Sequence, residues 1–429
     1  MLHDSDRPNR ATFPRLQSGD KTSIVISSCQ ICGSEGLKSV AFLGYLPPVN
    51  EMRAIGSVPH EQPSYPLGML FCSHCELAQI GLSIAPRLLF PASYPYTSGT
   101  TRILRDNFAD LYRQSNAFVG LTAKDLVIDV GSNDGTLLSN FAACHRVLGI
   151  EPTDVGRIAQ ESGIPTVLQY FSPQVARGVR AEHGPAKIVT CTNCFAHMED
   201  VHPTAEGILE LLGDDGVFIS ESHYLIALLD TLQYDTVYHE HLRYYSLHSL
   251  KYLLAMHGLD VVHAVRIPTH GGSIRVYAAR KGTRTVQSSV AEMLASEPTG
   301  TAMEQRLARF ASAVTLSKLG LLNILWEAKK SGARICGVSA PSRASTLVSY
   351  VGLDGGMIDY VGEIEGSLKL GKYMPGTLIP VVDEARIFED KPEYALILSW
   401  HIAEELMPKL RAKGYAGKFI IPLPTPRVV

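Results

Sequence analysis

Residues 125–136 read DLVIDVGSNDGT, and residues 147–153 read VLGIEPT. The first run is apolar without alternation up to Asp129, which suits a strand covered on both faces. Gly131, Asn133 and Gly135 then form a turn, and TLLSNFAACH resumes at helical spacing. Glycine at such a turn lets backbone approach a ligand with no Cβ in the way. The second strand ends at Glu151, about twenty residues on, where a carboxylate can accept two hydrogen bonds from ribose hydroxyls.

Outward from this pair the text keeps alternating. TDVGRIAQESG reads as a helix, and PTVLQYF, KIVTCTN and GVFISES as strands with helical stretches between them. Apolar strands alternating with helices imply a mostly parallel sheet with helices on both faces. LDVVHAVRIPTHGGSIRVYAAR reads as two strands and a loop, an antiparallel edge to that sheet. Upstream, TRILRDNFADLYRQSNAF is a helix. Downstream, residues 284–331 form a helical connector, and a second α/β unit begins at ARICGV. The expected organisation is a flexible tail over 1–22, a small module over 23–99, an α/β domain over 100–283, the connector, and a second, Rossmann-like α/β domain over 332–429.

The loop GSNDGT lacks the third glycine of the dinucleotide fingerprint GxGxxG. Asp134 would repel a pyrophosphate but is comfortable beside a sulfonium and an ammonium. The reading is therefore a class I methyltransferase domain that binds S-adenosylmethionine through Asp129, Gly131, Asn133, Gly135 and Glu151. A nucleotide-dependent oxidoreductase is the alternative. The adenine is expected near Phe171 and the segment after KIVTCTN, with Asn193 among its contacts.

Cys29 and Cys32 in CQIC and Cys72 and Cys75 in CSHC are two knuckles, each aiming two thiolates at one point. Together they predict a tetrahedral structural zinc with no position open for water. His74 is read as a bystander. A further CxxC, Cys191 and Cys194, has no partner pair and is read as packing.

Residues 235–246 read DTVYHEHLRYYS. A methyl donor needs a nucleophile, and a carbon beside a ketone becomes one only when a base removes its proton. Histidine titrates in the right range for that task. YHEH offers an imidazole base, a carboxylate to orient it and a tyrosine to donate to an enolate oxygen. If the run is extended, Tyr238 and Glu240 share one side and His239 and His241 the other. A polar surface strand and an HxH metal site are the other readings.

The bulk numbers bound the rest. A net charge of −3 with no basic block argues against nucleic acid. No apolar run approaches the roughly 20 residues of a membrane helix, and the polar N-terminus does not resemble a signal peptide. A cytoplasmic protein without an obligate protein partner is the expectation.

In their order, CQICG…FCSHCELAQIG, YPYTSG, GSNDGT, GIEPT, NCFAHMEDV, DTVYHEHLRYYSL, HGGSIRVY and KLGKYMPGTLIPV resemble the zinc-containing, S-adenosylmethionine-dependent C-methyltransferases of deoxysugar biosynthesis. The resemblance covers nearly the whole chain after the tail. It implies a nucleotide-linked 4-keto sugar as substrate, with His241 removing the C-3 proton and Tyr238 serving the keto oxygen. Glu240, His197 and one of Tyr94 and Tyr96 complete that constellation. His270, Gly271 and Gly272 belong to the substrate wall, and Lys372 and Tyr373 of KLGKYMPG are expected to bind the substrate. The family's last domain carries a glycine- and alanine-rich loop with a lysine. Here the stretch is CGVSAPSRAST, so Arg343 stands as the cation for phosphates. C-methylation of a non-sugar ketone and a non-catalytic zinc-bearing binding protein are the remaining alternatives.

Overall fold

A computed structural model of the chain describes residues 22–58, 62–92, 94 and 96–429. The expected tail, apart from Thr22, lies outside the described residues. The chain forms two compact units, each assembled from separated segments. Unit 1 takes residues up to Lys38, Leu70–Ile226 and Leu242–Gly300; unit 2 takes Ser39–Met69, Ala227–His241 and Thr301–Val429.

Unit 1 is built on a seven-stranded sheet. Helix α1 (Arg102–Val119) leads into β1 (Leu126–Val130), whose five residues are all buried. Then follow α2 (Thr136–Ala142), β2 (Arg146–Ile150), β3 (Thr166–Val167), β4 (Ala186–Thr192), α3 (Val201–Leu211) and β5 (Leu212–His223). Strands β6 (Leu259–Ile267) and β7 (Ser273–Arg280) complete it. The order is β6-β7-β5-β4-β1-β2-β3. Strands β1 to β5 pair in parallel, while β7 joins β5 antiparallel and β6 joins β7 antiparallel. The antiparallel edge expected from LDVVHAVRIPTHGGSIRVYAAR is present. PTVLQYF shortens to two paired residues, because Gln169 already turns back onto the Val167 carbonyl.

Helix α1 buries Leu104, Phe108 and Leu111, one stripe at i, i+4 and i+7, and stops where Gly120 enters the left-handed region at φ 71°. That stripe meets Leu138 and Phe141 of α2 and Val127 of β1 in the core. Asp200 caps α3 by accepting from the His202 amide. Antiparallel pairings also join Ser23–Val25 to Leu82–Ile84, as a two-stranded sheet, and Arg243–Tyr244 to Leu77–Ile80, as two strands of a four-stranded one.

In unit 2, helix α4 (Gly300–Lys330) buries Met303, Leu307, Phe310, Val314, Ser317, Leu321, Leu325 and Ala328 along one seam. The sheet that follows contains β8 (Ile335–Val338), β9 (Val361–Glu363), β10 (Lys372–Tyr373), β11 (Pro380–Asp383), β12 (Tyr394–Ile397), β13 (Lys418–Ile421) and β14 (Arg427–Val428). Its order is β10-β11-β9-β8-β12-β13-β14, antiparallel only at its two edges. Helix α5 (Ser342–Val351) follows the central strand β8. The chain leaves β8 for β9 on one side and later adds β12 on the other. The ends of β8 and β12 thus mark a topological switch point, where open α/β sheets bind ligands. No helix of the described residues is long and apolar enough to cross a membrane.

Candidate active site and metal centre

The glycine loop sits at the carboxyl end of β1. Gly131 has φ 76°, and a Cβ there would collide with Cys194 Sγ from the loop after β4. Gly135 has φ 77°, and its Cβ would lie 3.0 Å from that of Ala159. Asn133 also has positive φ, 50°. Its amide donates to Glu151 Oε2 at 3.1 Å, and its Oδ1 accepts from the Ser98 amide at 2.7 Å. Its Nδ2 donates to the Tyr96 carbonyl at 3.2 Å. The loop is thus tied to SYPYTSGT on one side and to the end of β2 on the other.

Glu151 is buried, and its Oε1 accepts from Thr153 Oγ1 at 2.6 Å and the Thr153 amide at 3.0 Å. Asp134, expected beside a cofactor cation, is engaged by the protein itself. Its carboxylate accepts from the Gly99 amide at 2.7 Å and from Thr136 Oγ1 at 2.6 Å, so it clamps the loop and the start of α2. Asp129 is 2% exposed and accepts from Thr190 Oγ1 at 2.6 Å. Burial pushes its pKa up to about 7, and the nearby Glu151 and Glu221 carboxylates push the same way.

The loop after β4 supplies the opposite wall. Asn193 has φ 53°, and its buried Oδ1 has no hydrogen-bond partner among the described residues. An orphaned acceptor beside the glycine loop fits a ligand that donates. Phe171 packs against α3, where a Cβ on Gly207 would come 2.9 Å from its Cζ. Phe90 lies between two of the candidate residues, 5.4 Å from the Tyr94 ring and 5.6 Å from the His197 ring. Tyr96 is 37% exposed. The His197 pKa is pushed down to about 4, first by burial and then by the Arg243 guanidinium. His270 has φ 56° and its ring lies tilted 5.4 Å from that of His223, and Gly271 follows at φ 88°.

The four knuckle cysteines converge: all four Sγ atoms lie within 4.8 Å of one another. Cys29 and Cys75 approach to 3.4 Å, Cys32 and Cys72 to 3.5 Å. Four ligands at the usual zinc–sulfur distance stand about 3.8 Å apart. The donor set and its spacing fit zinc. His74 pairs with the Tyr252 hydroxyl at 3.2 Å, outside this cluster. Cys191 and Cys194 gather no other ligand among the described residues.

The YHEH run lies in unit 2 and is a turn, with His239 and Glu240 at its apex. The two-sided alternation of an extended run therefore does not apply. Tyr238, His239, Glu240 and His241 are all buried. His241 Nδ1 stands 2.8 Å from the Thr236 carbonyl, and the His241 ring lies 4.1 Å from that of Tyr238. A carbonyl only accepts, so Nδ1 carries the proton and Nε2 holds the basic lone pair. The Thr236 backbone carbonyl is thus an orienting group for this imidazole. Glu240 Oε1 instead accepts from Asn50 Nδ2 at 2.7 Å, and Asn50 Oδ1 accepts from Ser342 Oγ at 3.0 Å. His239 packs edge-on against Tyr65, and burial pushes its pKa down to about 4.

Arg343 is not an open phosphate cation. It is 6% exposed, donates to both Asp235 carboxylate oxygens at 2.7 and 2.8 Å, and lies 4.9 Å over the Trp400 ring. Lys372 stands on the edge strand β10 opposite Ala54, and Tyr373 accepts the Gly56 amide at its hydroxyl, 3.2 Å. The same motif holds a residue the sequence reading passed over. Lys369 is buried, donates to the Ala340 carbonyl at 2.7 Å, and has a pKa lowered by burial against the pull of Glu363 and Glu240. A lysine three residues before Lys372 was visible in KLGKYMPG, but nothing in the text distinguishes a buried lysine from a solvated one. Asn50 and Thr236 left no sequence signal at all.

Comparison with known proteins agrees with this geometry. Three family models match: "Putative zinc binding domain" over residues 29–90, "Methyltransferase domain" over 102–264 and "C-methyltransferase C-terminal domain" over 268–424. The C-methyltransferase NovU of Streptomyces niveus is 32% identical over 409 residues, which is 94% of this chain and 97% of that protein. Among solved structures, magnesium protoporphyrin IX methyltransferase of Synechocystis with bound S-adenosylmethionine is 16% identical, covering 43% of this chain and 88% of its own at a TM-score of 0.33. A Pyrococcus horikoshii protein is 15% identical, covering 46% of this chain and 98% of its own at 0.36. Near full-length similarity to NovU, with all three models in order, decides the assignment, and the chain belongs to the zinc-binding, S-adenosylmethionine-dependent C-methyltransferases.

Proposed function

We propose that the enzyme methylates C-3 of a nucleotide-linked 4-keto-deoxysugar after His241 has removed the C-3 proton. The observation that carries this reading is the buried imidazole of His241. Thr236 fixes its tautomer so that Nε2 is the base, and a phenol lies against its ring. A base beside a neutral donor is what deprotonation next to a ketone requires.

Asp129, Gly131, Asn133, Gly135, Glu151 and Asn193 are assigned to the cofactor, with Phe171 beside the adenine. Bound there, S-adenosylmethionine supplies an electrophilic methyl group. Tyr238 is assigned to the ketone oxygen, where its hydroxyl donates as negative charge develops. His197, neutral above pH 4 or so, is too weak a base for the first step and is assigned a hydrogen-bonding role with Tyr94 or Tyr96. Glu240, held by Asn50, is assigned to accept from a sugar hydroxyl. His270 and Gly271 are assigned to the sugar wall. Lys372 and Tyr373 are assigned to the nucleotide, while Arg343 secures the start of α5 through Asp235.

The test is incubation with a 4-keto-6-deoxyhexose nucleotide in deuterated water, with and without S-adenosylmethionine. Deuterium entering at C-3 without the cofactor, and a methyl group at C-3 with it, are the expected results. If neither appears across several nucleotides, while a non-sugar ketone is methylated, the substrate class is wrong.

A further inference from the structure

The two residues inside the first cysteine knuckle both reach toward the loop between β4 and α3. Gln30 is fully buried. Its amide donates to Gln79 Oε1 at 2.8 Å, its Nε2 to the Leu242 carbonyl at 3.1 Å, and its Oε1 accepts from Arg243 Nη1 at 2.5 Å. Arg243 passes the connection on, because its Nη2 donates to the Met198 carbonyl. Its Nε donates to the Tyr245 hydroxyl at 3.1 Å, and the Tyr245 ring stacks on Phe195 at 5.8 Å. Ile31 makes the second connection. Its carbonyl lies 2.9 Å from Nε2 of His202, in the first turn of α3. Since that carbonyl only accepts, His202 Nε2 carries the proton and Nδ1 accepts from His257 Nε2 at 2.9 Å.

Arg243 is 1% exposed, and among the described residues its partners are neutral acceptors. A buried guanidinium with no carboxylate is costly to desolvate. A leucine or methionine would fill the space more cheaply, so the cost points to a task that only a forked donor can do. The fork spans from the knuckle to the loop. Met198 follows His197 directly, and His202 stands just beyond the loop's end, so the loop is held by both knuckle residues.

We propose that metal binding at Cys29, Cys32, Cys72 and Cys75 positions the β4–α3 loop, with Gln30–Arg243–Met198 and Ile31–His202 as the two ties. A closed four-thiolate site offers no chemistry to a substrate. Its work is to fix the knuckle, and the knuckle fixes the loop. Arg243 and His202 are positioning residues: they set where Asn193 and His197 stand. The importance of those two positions rests on the function proposed above; the ties themselves do not.

The test is amide hydrogen exchange by mass spectrometry on the full chain, without substrate or cofactor, comparing the zinc-loaded protein, the chelator-stripped protein, Gln30→Leu and Arg243→Met. Both variants keep all four cysteines, and zinc content with far-UV circular dichroism reports whether each is folded and loaded. Peptides covering residues 193–200 are expected to exchange about tenfold faster in the stripped protein and in both loaded variants, while residues 126–130 stay unchanged. Unchanged exchange over 193–200 in loaded Gln30→Leu and Arg243→Met would overturn the proposal, as would unchanged exchange after stripping. Titration with S-adenosylhomocysteine then separates the two readings. A loosened loop with unaltered affinity supports the ties and removes Asn193 from the cofactor site.

Discussion

At the scale of single residues, the site is defined by backbone partners that no motif records. His241 owes its tautomer to the Thr236 carbonyl. His241→Ala is expected to lower methyl transfer by about 10²–10⁴, the usual worth of a general base, and to abolish deuterium entry into the substrate. Affinity for S-adenosylmethionine, measured by calorimetry, should stay unchanged. Asp129 gives a second prediction. Its folded pKa, about 7, lies above the ordinary 3.8. The folded state therefore holds the proton more tightly, and this group's favourable share is complete below about pH 4 and lost as pH rises through 7. The melting temperature should fall from pH 5 to pH 8, and Asp129→Asn should flatten that fall; a parallel fall in the variant would refute it. The candidate groups of YHEH were legible, because residue type alone limits what imidazole, carboxylate and phenol can do. Their partners were not. Asn50 lies 190 residues from Glu240, and Asp235 lies 108 residues from Arg343. An arginine reads the same in sequence whether it waits for a phosphate or is already paired.

At the scale of elements, the glycine loop is the most constrained piece of backbone in the cofactor site. Gly131 combines positive φ with no room for a Cβ. Gly131→Ala is expected to weaken S-adenosylmethionine binding at least about tenfold, since a strained residue costs on the order of 1–2 kcal/mol before any clash. Adding Cys194→Ala should recover part of the loss, because it removes the sulfur in the way while leaving the φ strain. No recovery would mean that the sulfur is not the source of the loss. These elements were the most legible part of the molecule. DLVIDVG, KIVTCTN and ARICGV are long or strongly apolar runs bounded by glycine or helix, and each is a strand. Strands β10, β11 and β14 were passed over. They have two to four residues at or near a sheet edge, and only Val381 among them is buried.

At the scale of the whole molecule, contacts rather than sequence neighbours decide which residues fold together. The chain passes from one unit to the other five times, after Lys38, Met69, Ile226, His241 and Gly300. Composition does not change at those points, so the reading along the chain could not locate them. The passage after His241 falls within DTVYHEHLRYYS itself. Both tryptophans, Trp326 and Trp400, are in unit 2, and their fluorescence reports its unfolding. Arg343→Met leaves the buried Asp235 carboxylate without its cation, an injury usually worth about 3–5 kcal/mol. The fluorescence midpoint in urea should drop accordingly, and Asp235→Leu added to Arg343→Met should restore much of it. If the double variant melts no later than the single one, the pair is not the source of the loss.

The five passages also matter during synthesis. Unit 1 has its last segment once Gly300 has left the ribosome, whereas unit 2 still awaits 301–429. At 5–20 residues per second, those 129 residues take roughly 6–26 s. Throughout that interval Ser39–Met69 and Ala227–His241 are finished but lack the last segment of their unit, so Tyr234 waits for Tyr350 and Asp235 for Arg343. The nascent chain therefore carries residues 227–241 before their partners in the last segment exist. A holding chaperone is expected to crosslink to residues 227–241 in chains stalled at 300 residues, and to release them once the last segment emerges.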